Sequence, residues 1–271
     1  MPVSLTQQEL DAYRADGFHF PVTVFDAAEA LSYRHLLEDL EQAHGQKAQT
    51  FKTDLHLLKH WAYDLVTDPR ILDPVEDVLG PDILCWSLNW FIKEASDGKF
   101  VTPHQDSNYW GLYPHDVTTA WLALSDAGVE TGPMKFLPGS HLGPDYDHED
   151  TFHESNLLSR GQRVVADLEP GAAVTASLKA GEMSLHHVKL VHYSEPNHTA
   201  DRRIGMVIRY AATNVQQTKL RDTAVLVRGV DRFGHFDLLG RPETEMGQVE
   251  LARHRDAVDR LGRAIHSKDY E

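Results

Sequence analysis

Cysteine is nearly absent from this 271-residue chain. Cys85 is the single copy, which excludes an internal disulfide framework and a cysteine-rich zinc module. Long apolar runs are missing too. No stretch approaches the ~18 apolar residues of a membrane span, and the opening MPVSLTQQELDAYRADG carries no apolar leader. Positive charge is scarce: 26 Lys and Arg face 41 Asp and Glu, a net charge of −15, which disfavours loose binding to nucleic acid or anionic membrane. These absences predict a reducing, cytoplasmic address with no membrane or nucleic-acid partner. What is present is a 41% apolar fraction, enough for a full core, and 17 histidines, which direct attention to a metal site.

The texture of the chain predicts one domain over 1–271 in three parts. Residues 1–80 read as mainly helical. Thr6-Gln7-Gln8-Glu9 has capping-box form and starts a helix ending near Gly17. A second helix is expected over 27–44, with Leu31, Leu36, Leu37 and Leu40 on one side, and shorter ones over 54–66 and 70–79. Residues 81–230 hold strand-like runs at 82–93, 117–125, 133–137, 172–178, 182–193, 202–213 and 222–228, separated by Gly, Pro, Asn and Asp. Residues 231–271 return to a helical pattern. Many short strands without alternating helices imply a sandwich or barrel.

His104-Gln105-Asp106 is the most informative segment. In an extended strand, residues two apart share a face, so His104 and Asp106 would point together from Cα atoms ~7 Å apart. An imidazole and a carboxylate are two parts of a two-His-one-carboxylate site, which leaves three positions of an octahedral iron(II) open. The third ligand is expected on a distant strand. His192 is the candidate, with His186 and His187 on the same run as alternatives. Residues 192–203 read as a hairpin turning at Pro196-Asn197, which sets His192 opposite Arg203. A buried guanidinium there needs an anion, and the far end of a chelating dicarboxylate supplies one. Along 202–210, Arg203, Gly205, Val207 and Arg209 face inward, while Ile204, Met206, Ile208 and Tyr210 face out toward the helices. Arg209 suits either an acidic substrate group or a structural salt bridge. Lys93, Asn108, Tyr109 and Trp110, with Trp86, Asn89 and Trp90, lie near the metal segments and suit a small polar substrate. His115, His141, His148 and His153 read as solvated, the 253–260 run as the solvated face of a helix, and 141–165 as a lid or an ordinary surface loop.

With these residues in view, the chain resembles the phytanoyl-CoA dioxygenase family of iron(II)/2-oxoglutarate oxygenases. The resemblance runs through Leu5-Thr6 to Gly17-Phe18, His104-Gln105-Asp106, Thr119-Ala-Trp121, Pro138-Gly-Ser-His141 and His192-x-Ser194…Asn197…Arg203. It implies a mainly β fold with flanking helices, a double-stranded β-helix or jelly roll. It also implies iron on His104, Asp106 and His192, and Arg203 on the distal carboxylate of 2-oxoglutarate. By the same pattern, Gln105, Trp121 and Ser194 would line the cosubstrate pocket. The activity implied is O₂-dependent hydroxylation of a C–H bond in a small molecule that is amino-acid-like, a phosphonate or a natural-product intermediate. Many related enzymes carry Ser or Thr where this chain has Gly205. Halogenases of the group carry Ala or Gly in place of the carboxylate, so Asp106 implies hydroxylation. Two other readings share the same residues: a zinc or manganese jelly-roll hydrolase or isomerase, and a barrel that binds a ligand without catalysis.

Overall fold

A computed structural model describes residues 3–48 and 53–266. In chain order the elements are α1 (Gln7–Asp16), β1 (Phe18–Thr23), α2 (Ala27–His44), α3 (His60–Val66), α4 (Pro69–Leu79), β2 (Ile83–Lys93), β3 (Val101–His104), α5 (Ser107–Trp110), β4 (Leu112–Tyr113) and β5 (Val117–Ala123). They continue with β6 (Met134–Phe136), β7 (His148–Asp150), β8 (Gln162–Val164), β9 (Val174–Ala176), β10 (Glu182–His187), β11 (His192–Ser194), β12 (Arg203–Ala212), β13 (Gln216–Gln217), β14 (Thr223–Arg228), β15 (Asp237–Leu238) and α6 (Gln248–His266). None of the described helices is long and apolar enough to cross a membrane.

Two sheets face each other as a jelly roll. The larger has the order β1-β10-β5-β12-β2-β14-β15, and the smaller β3-β11-β6-β9. Pairing within them is antiparallel except for β14 with β15. The helices cover the outer face of the larger sheet. Ile204, Met206, Ile208 and Tyr210 join the core there with Leu37, Leu65, Ile71 and Ala257, as the alternation along β12 predicts. The Tyr210 hydroxyl donates to the Val66 carbonyl at 3.0 Å, so its one polar atom is satisfied. The start of α1 is the expected capping box, and Gly17 ends the helix in the left-handed region at φ 87°.

Three expectations need correction. The α2 stripe is Ala30, Leu37 and Leu40, with Tyr33 partly buried beside it; Leu31 and Leu36 are exposed. Positions 30, 33, 37 and 40 follow the helical period, whereas 31 and 36 do not. The 182–193 run is two strands. The chain turns after His187, where Leu190 N–H donates to the His187 carbonyl at 2.9 Å, and passes from the larger sheet to the smaller. Residues 192–203 are likewise a crossover between sheets, so Arg203 sits opposite Lys93 of β2, not His192. Asn197 shapes this crossover: it is buried, and its Nδ2 donates to the carbonyls of Lys93, Glu94 and Asp201.

Just before β12, Arg202 pairs with Glu41 of α2 at 2.7 Å and with Glu94 at 2.6 Å, tying helix layer to sheet. Burial alone would raise the Glu41 carboxyl, but the Arg202 guanidinium and the Ala48 N–H reverse this and hold it below its usual value. Arg202→Gln is therefore expected to cost about 1–3 kcal/mol near neutral pH, measured by urea unfolding. Because the folded Glu41 value is depressed, its contribution is complete above the unfolded carboxylate value of ~4.3 and is lost as pH falls through the folded value. The gap between variant and wild type should close over that descent.

Candidate metal centre and cavity

Between the sheets lies a cavity of about 220 Å³. His104, at the end of β3, and His192, at the start of β11, are direct partners across two neighbouring strands. Their rings lie 4.1 Å apart. Each Nδ1 is taken by a carbonyl two residues upstream, Thr102 at 2.9 Å and Leu190 at 3.0 Å. A ring that donates from Nδ1 keeps the lone pair of Nε2 for a metal. Both Nε2 atoms approach the Asp106 carboxylate, at 3.4 Å from His104 and 3.9 Å from His192. Candidate ligand atoms of the three residues all lie within 4.8 Å of one another, and no other such group occurs among the described residues.

Asp106 reaches this point by a different route from the one expected. The strand ends at His104, and the chain turns into α5, with Asp106 at φ −67° and ψ −35°. The turn, not strand alternation, brings the carboxylate round. Burial and then the neighbouring His104 push His192 down to about 4, so its imidazole is neutral at neutral pH. Burial would raise the Asp106 carboxyl, but His104 and His192 more than offset it and hold it well below the carboxylate range. An anionic carboxylate beside the neutral His192 imidazole is the protonation state a divalent cation requires of those two donors.

Arg203 enters the same cavity from the inner face of β12. It is buried to 1% exposure. Its two Nη atoms donate to the carbonyls of Gly132 at 2.9 Å and Phe91 at 3.3 Å, and its Nε has no partner. Its guanidinium carbon lies 5.0 Å from the centroid of Trp121. No carboxylate among the described residues pairs with it, and burial pushes it down to about 10.

The other sequence candidates divide. Trp121, Ser194, Tyr109, Trp110 and Arg209 line the cavity. Gln105 does not. Its side chain points the other way, donating to the Lys189 and Pro144 carbonyls and accepting from the Tyr146 N–H, which braces the 144–146 loop. Asn108 is also outside the lining, donating to the Tyr146 carbonyl at 3.4 Å. Lys93 is a prop. Its buried Nζ donates to Ser194 Oγ at 2.7 Å, to the Gly132 carbonyl at 3.0 Å and to the Glu195 carbonyl. Burial and then Arg203 push it down to about 6. Trp86 packs in a separate cluster with Trp110, away from the cavity wall. His187 turns to His141, while His186 stays inside with its ring 4.7 Å from that of His192 and both nitrogens unpartnered. His141 and His148, expected in solvent, are packed instead: His141 is buried, with its Nε2 3.1 Å from the Arg14 carbonyl, and His148 Nε2 accepts from the Gln105 N–H.

Sequence reasoning missed one whole wall. Val258, Leu261 and Ile265 of α6 line the cavity, with Leu157 and Leu158 from the 141–165 segment. The spacing 258, 261, 265 was a helical stripe available to be read beside the charged 253–260 run.

Fold and donor set together define a jelly-roll protein with a two-His-one-carboxylate cluster. Residues 4–205 match the family model for phytanoyl-CoA dioxygenase (PhyH). The chain is 35% identical over 222 residues to a probable alpha-ketoglutarate-dependent hypophosphite dioxygenase of Stutzerimonas stutzeri, covering 76% of this chain and 73% of that protein. It is 26% identical over 182 residues to peroxisomal phytanoyl-CoA dioxygenase of Homo sapiens, covering 66% of this chain and 52%, about half, of the human one. Among solved structures, the apo form of the non-heme monooxygenase ThoJ superposes with a TM-score of 0.83 at 35% identity, covering 94% of this chain and 96% of that one. Its nickel complex gives 0.77 at 33%, over 94% and 98%. The chain belongs to the phytanoyl-CoA dioxygenase family.

Gly205 is the position at which the chain departs from the Ser or Thr of the family pattern. A Cβ there would fall 2.1 Å from the Trp121 ring. Gly205→Ala is therefore expected to lower stability by about 1–3 kcal/mol, the range for overpacking a filled site, measured by thermal unfolding.

Proposed function

We propose that this chain is an iron(II)- and 2-oxoglutarate-dependent dioxygenase that hydroxylates a C–H bond of a small polar molecule. One observation carries the reading: a buried guanidinium, Arg203, with no carboxylate partner among the described residues, faces the cavity that holds the His104, Asp106 and His192 cluster. A protein does not leave such a charge uncompensated without cost, and a dicarboxylate that chelates a metal at one end pairs it at the other.

The residues present fit both groups. His104, Asp106 and His192 would hold the metal, with the two Nδ1–H anchors fixing ring orientation. Arg203 would take the far carboxylate, its plane set by Trp121. Ser194 Oγ, held by Lys93, and Thr119 Oγ1, buried without a partner, offer further polar contacts along the way. The bound iron and cosubstrate supply the oxidant for hydroxylation from O₂. The chain's own part is to keep water out with Val207, Met134 and the α6 wall, and to hold the target bond beside the cluster. A small polar substrate is in keeping with the hypophosphite in the name of the Stutzerimonas relative. A zinc or manganese hydrolase would use the same three donors but has no need for Arg203.

Anaerobic addition of iron(II) and 2-oxoglutarate is expected to produce a weak visible charge-transfer band. Asp106→Ala should abolish both the band and substrate-stimulated succinate release. Arg203→Gln should raise the 2-oxoglutarate Kd by about thirtyfold or more, the effect of removing one partner of a buried charge pair. Metal-dependent hydrolysis with zinc and no band with iron would replace this reading with the hydrolase.

A further inference from the structure

Arginines packed at element junctions in this chain meet carboxylates. Arg202 pairs with Glu41 and Glu94, Arg228 with Asp73 and Glu76, and Arg160 with Asp150. The two on the inner face of β12, Arg203 and Arg209, form no ion pair among the described residues. If Arg203 takes the cosubstrate, Arg209 still lacks a counter-charge.

Arg209 is 8% exposed and lines the cavity. One edge is fixed by neutral groups: Nη1 donates to Ser87 Oγ at 2.8 Å and to Asn89 Oδ1. Its guanidinium carbon lies 4.5 Å from the centroid of Trp110. Its Nε has no partner. The seat is itself braced, because Asn89 Nδ2 donates to Thr53 Oγ1 at 2.9 Å, and the Thr53 carbonyl lies 2.8 Å from His254 Nε2 of α6. Two buried acids are near enough to act on it electrostatically, and both are engaged elsewhere. Asp106 faces the two histidines, and Asp54 accepts from the Leu88 N–H at 2.8 Å. Among the described residues, no Asp or Glu forms an ion pair with this guanidinium.

The electrostatics of the proposed site lead to the same position. A divalent cation, Asp106, a dicarboxylate and Arg203 sum to neutrality, which leaves Arg209 in the cavity wall with no ion-pair partner among the described residues. The same cavity is lined by apolar side chains, Leu157 and Leu158 with Val258, Leu261 and Ile265 of α6. We infer that the substrate is a small amphipathic monoanion, whose carboxylate or phosphonate pairs with Arg209 against Trp110 and whose apolar frame lies under α6. This rests on the dioxygenase reading and makes Arg209 the specificity-determining residue.

The test compares acids with their neutral amides on the full chain loaded with iron(II) and 2-oxoglutarate without oxygen. The probes are 3-phenylpropionate and its amide, hexanoate and its amide, and 2-phenylethylphosphonate. Binding is read by calorimetry, by change in the visible band, and, after oxygen is admitted, by stimulated succinate release. At least one acid should bind about tenfold or more tightly than its neutral partner. Arg209→Gln should erase that preference and Arg209→Lys should keep part of it, with thermal unfolding confirming that each variant is folded. The comparison within the wild type needs no variant. Amides that bind as well as acids, no acid binding at millimolar concentration, or an undiminished preference in Arg209→Gln would each overturn the inference. Better binding by the phosphonate than by the carboxylates would assign the oxyanion type. Loss of the band in the wild type counts against the metal and cosubstrate reading, whereas a band without acid preference removes this inference alone, and calorimetry reads the preference in either case.

Discussion

The pairing of His192 with His104 across β11 and β3 is the contact on which the site rests. It sets two imidazoles side by side from segments almost ninety positions apart in the chain. Each ring is then locked by the carbonyl two residues before it, so donor direction follows from backbone geometry and not from side-chain choice. The crossing from β10 to β11 makes the pairing possible. Had the chain continued straight after His187, His192 would have remained in the larger sheet.

The inner surface between the sheets is unusual for a core. Two hydrophobic clusters are packed beside it, one around Phe136 and Ala176 with Trp121, the other around Trp86 and Leu112 with Trp110. Arg203, Arg209, His186 and Thr119 line the cavity, each with a buried polar atom left without a partner. Groups of this kind cost folding free energy and persist where a ligand satisfies them. On the outer face of the same sheet, covered by helices, the Tyr210 hydroxyl finds its partner within the chain. One strand thus separates a stabilising face from a functional one.

Much of this was legible from residue order alone. Alternation along 203–210 assigned the two faces of β12 correctly, because a strand buried on both sides still obeys the period of two. The capping box, the residue types at 104, 106 and 192, and the arginine at 203 were readable from short motifs. What failed were inferences about distance. The hairpin at 192–203 was drawn because two extended runs flanked Pro196-Asn197, but a buried Asn197 bridging Lys93, Glu94 and Asp201 makes a crossover instead. Gln105 was placed in the pocket by the family pattern, and Asn108 and Lys93 by proximity in sequence; each is turned into the framework by hydrogen bonds to backbone groups far along the chain. The α6 wall was overlooked because its charged face is more conspicuous than the three apolar residues opposite.

The contact between Gly205 and Trp121 has an evolutionary reading. The indole occupies the volume that any side chain at 205 would need, and the same ring carries Arg203 on its face. Neither position is free to drift alone. A lineage exchanging the glycine for a hydroxyl residue must shrink or reorient the tryptophan in the same step, so residues 121 and 205 are expected to vary together among descendants of a common ancestor. In comparisons of homologous chains, that covariation would separate sequences built on an aromatic platform from those built on a hydroxyl.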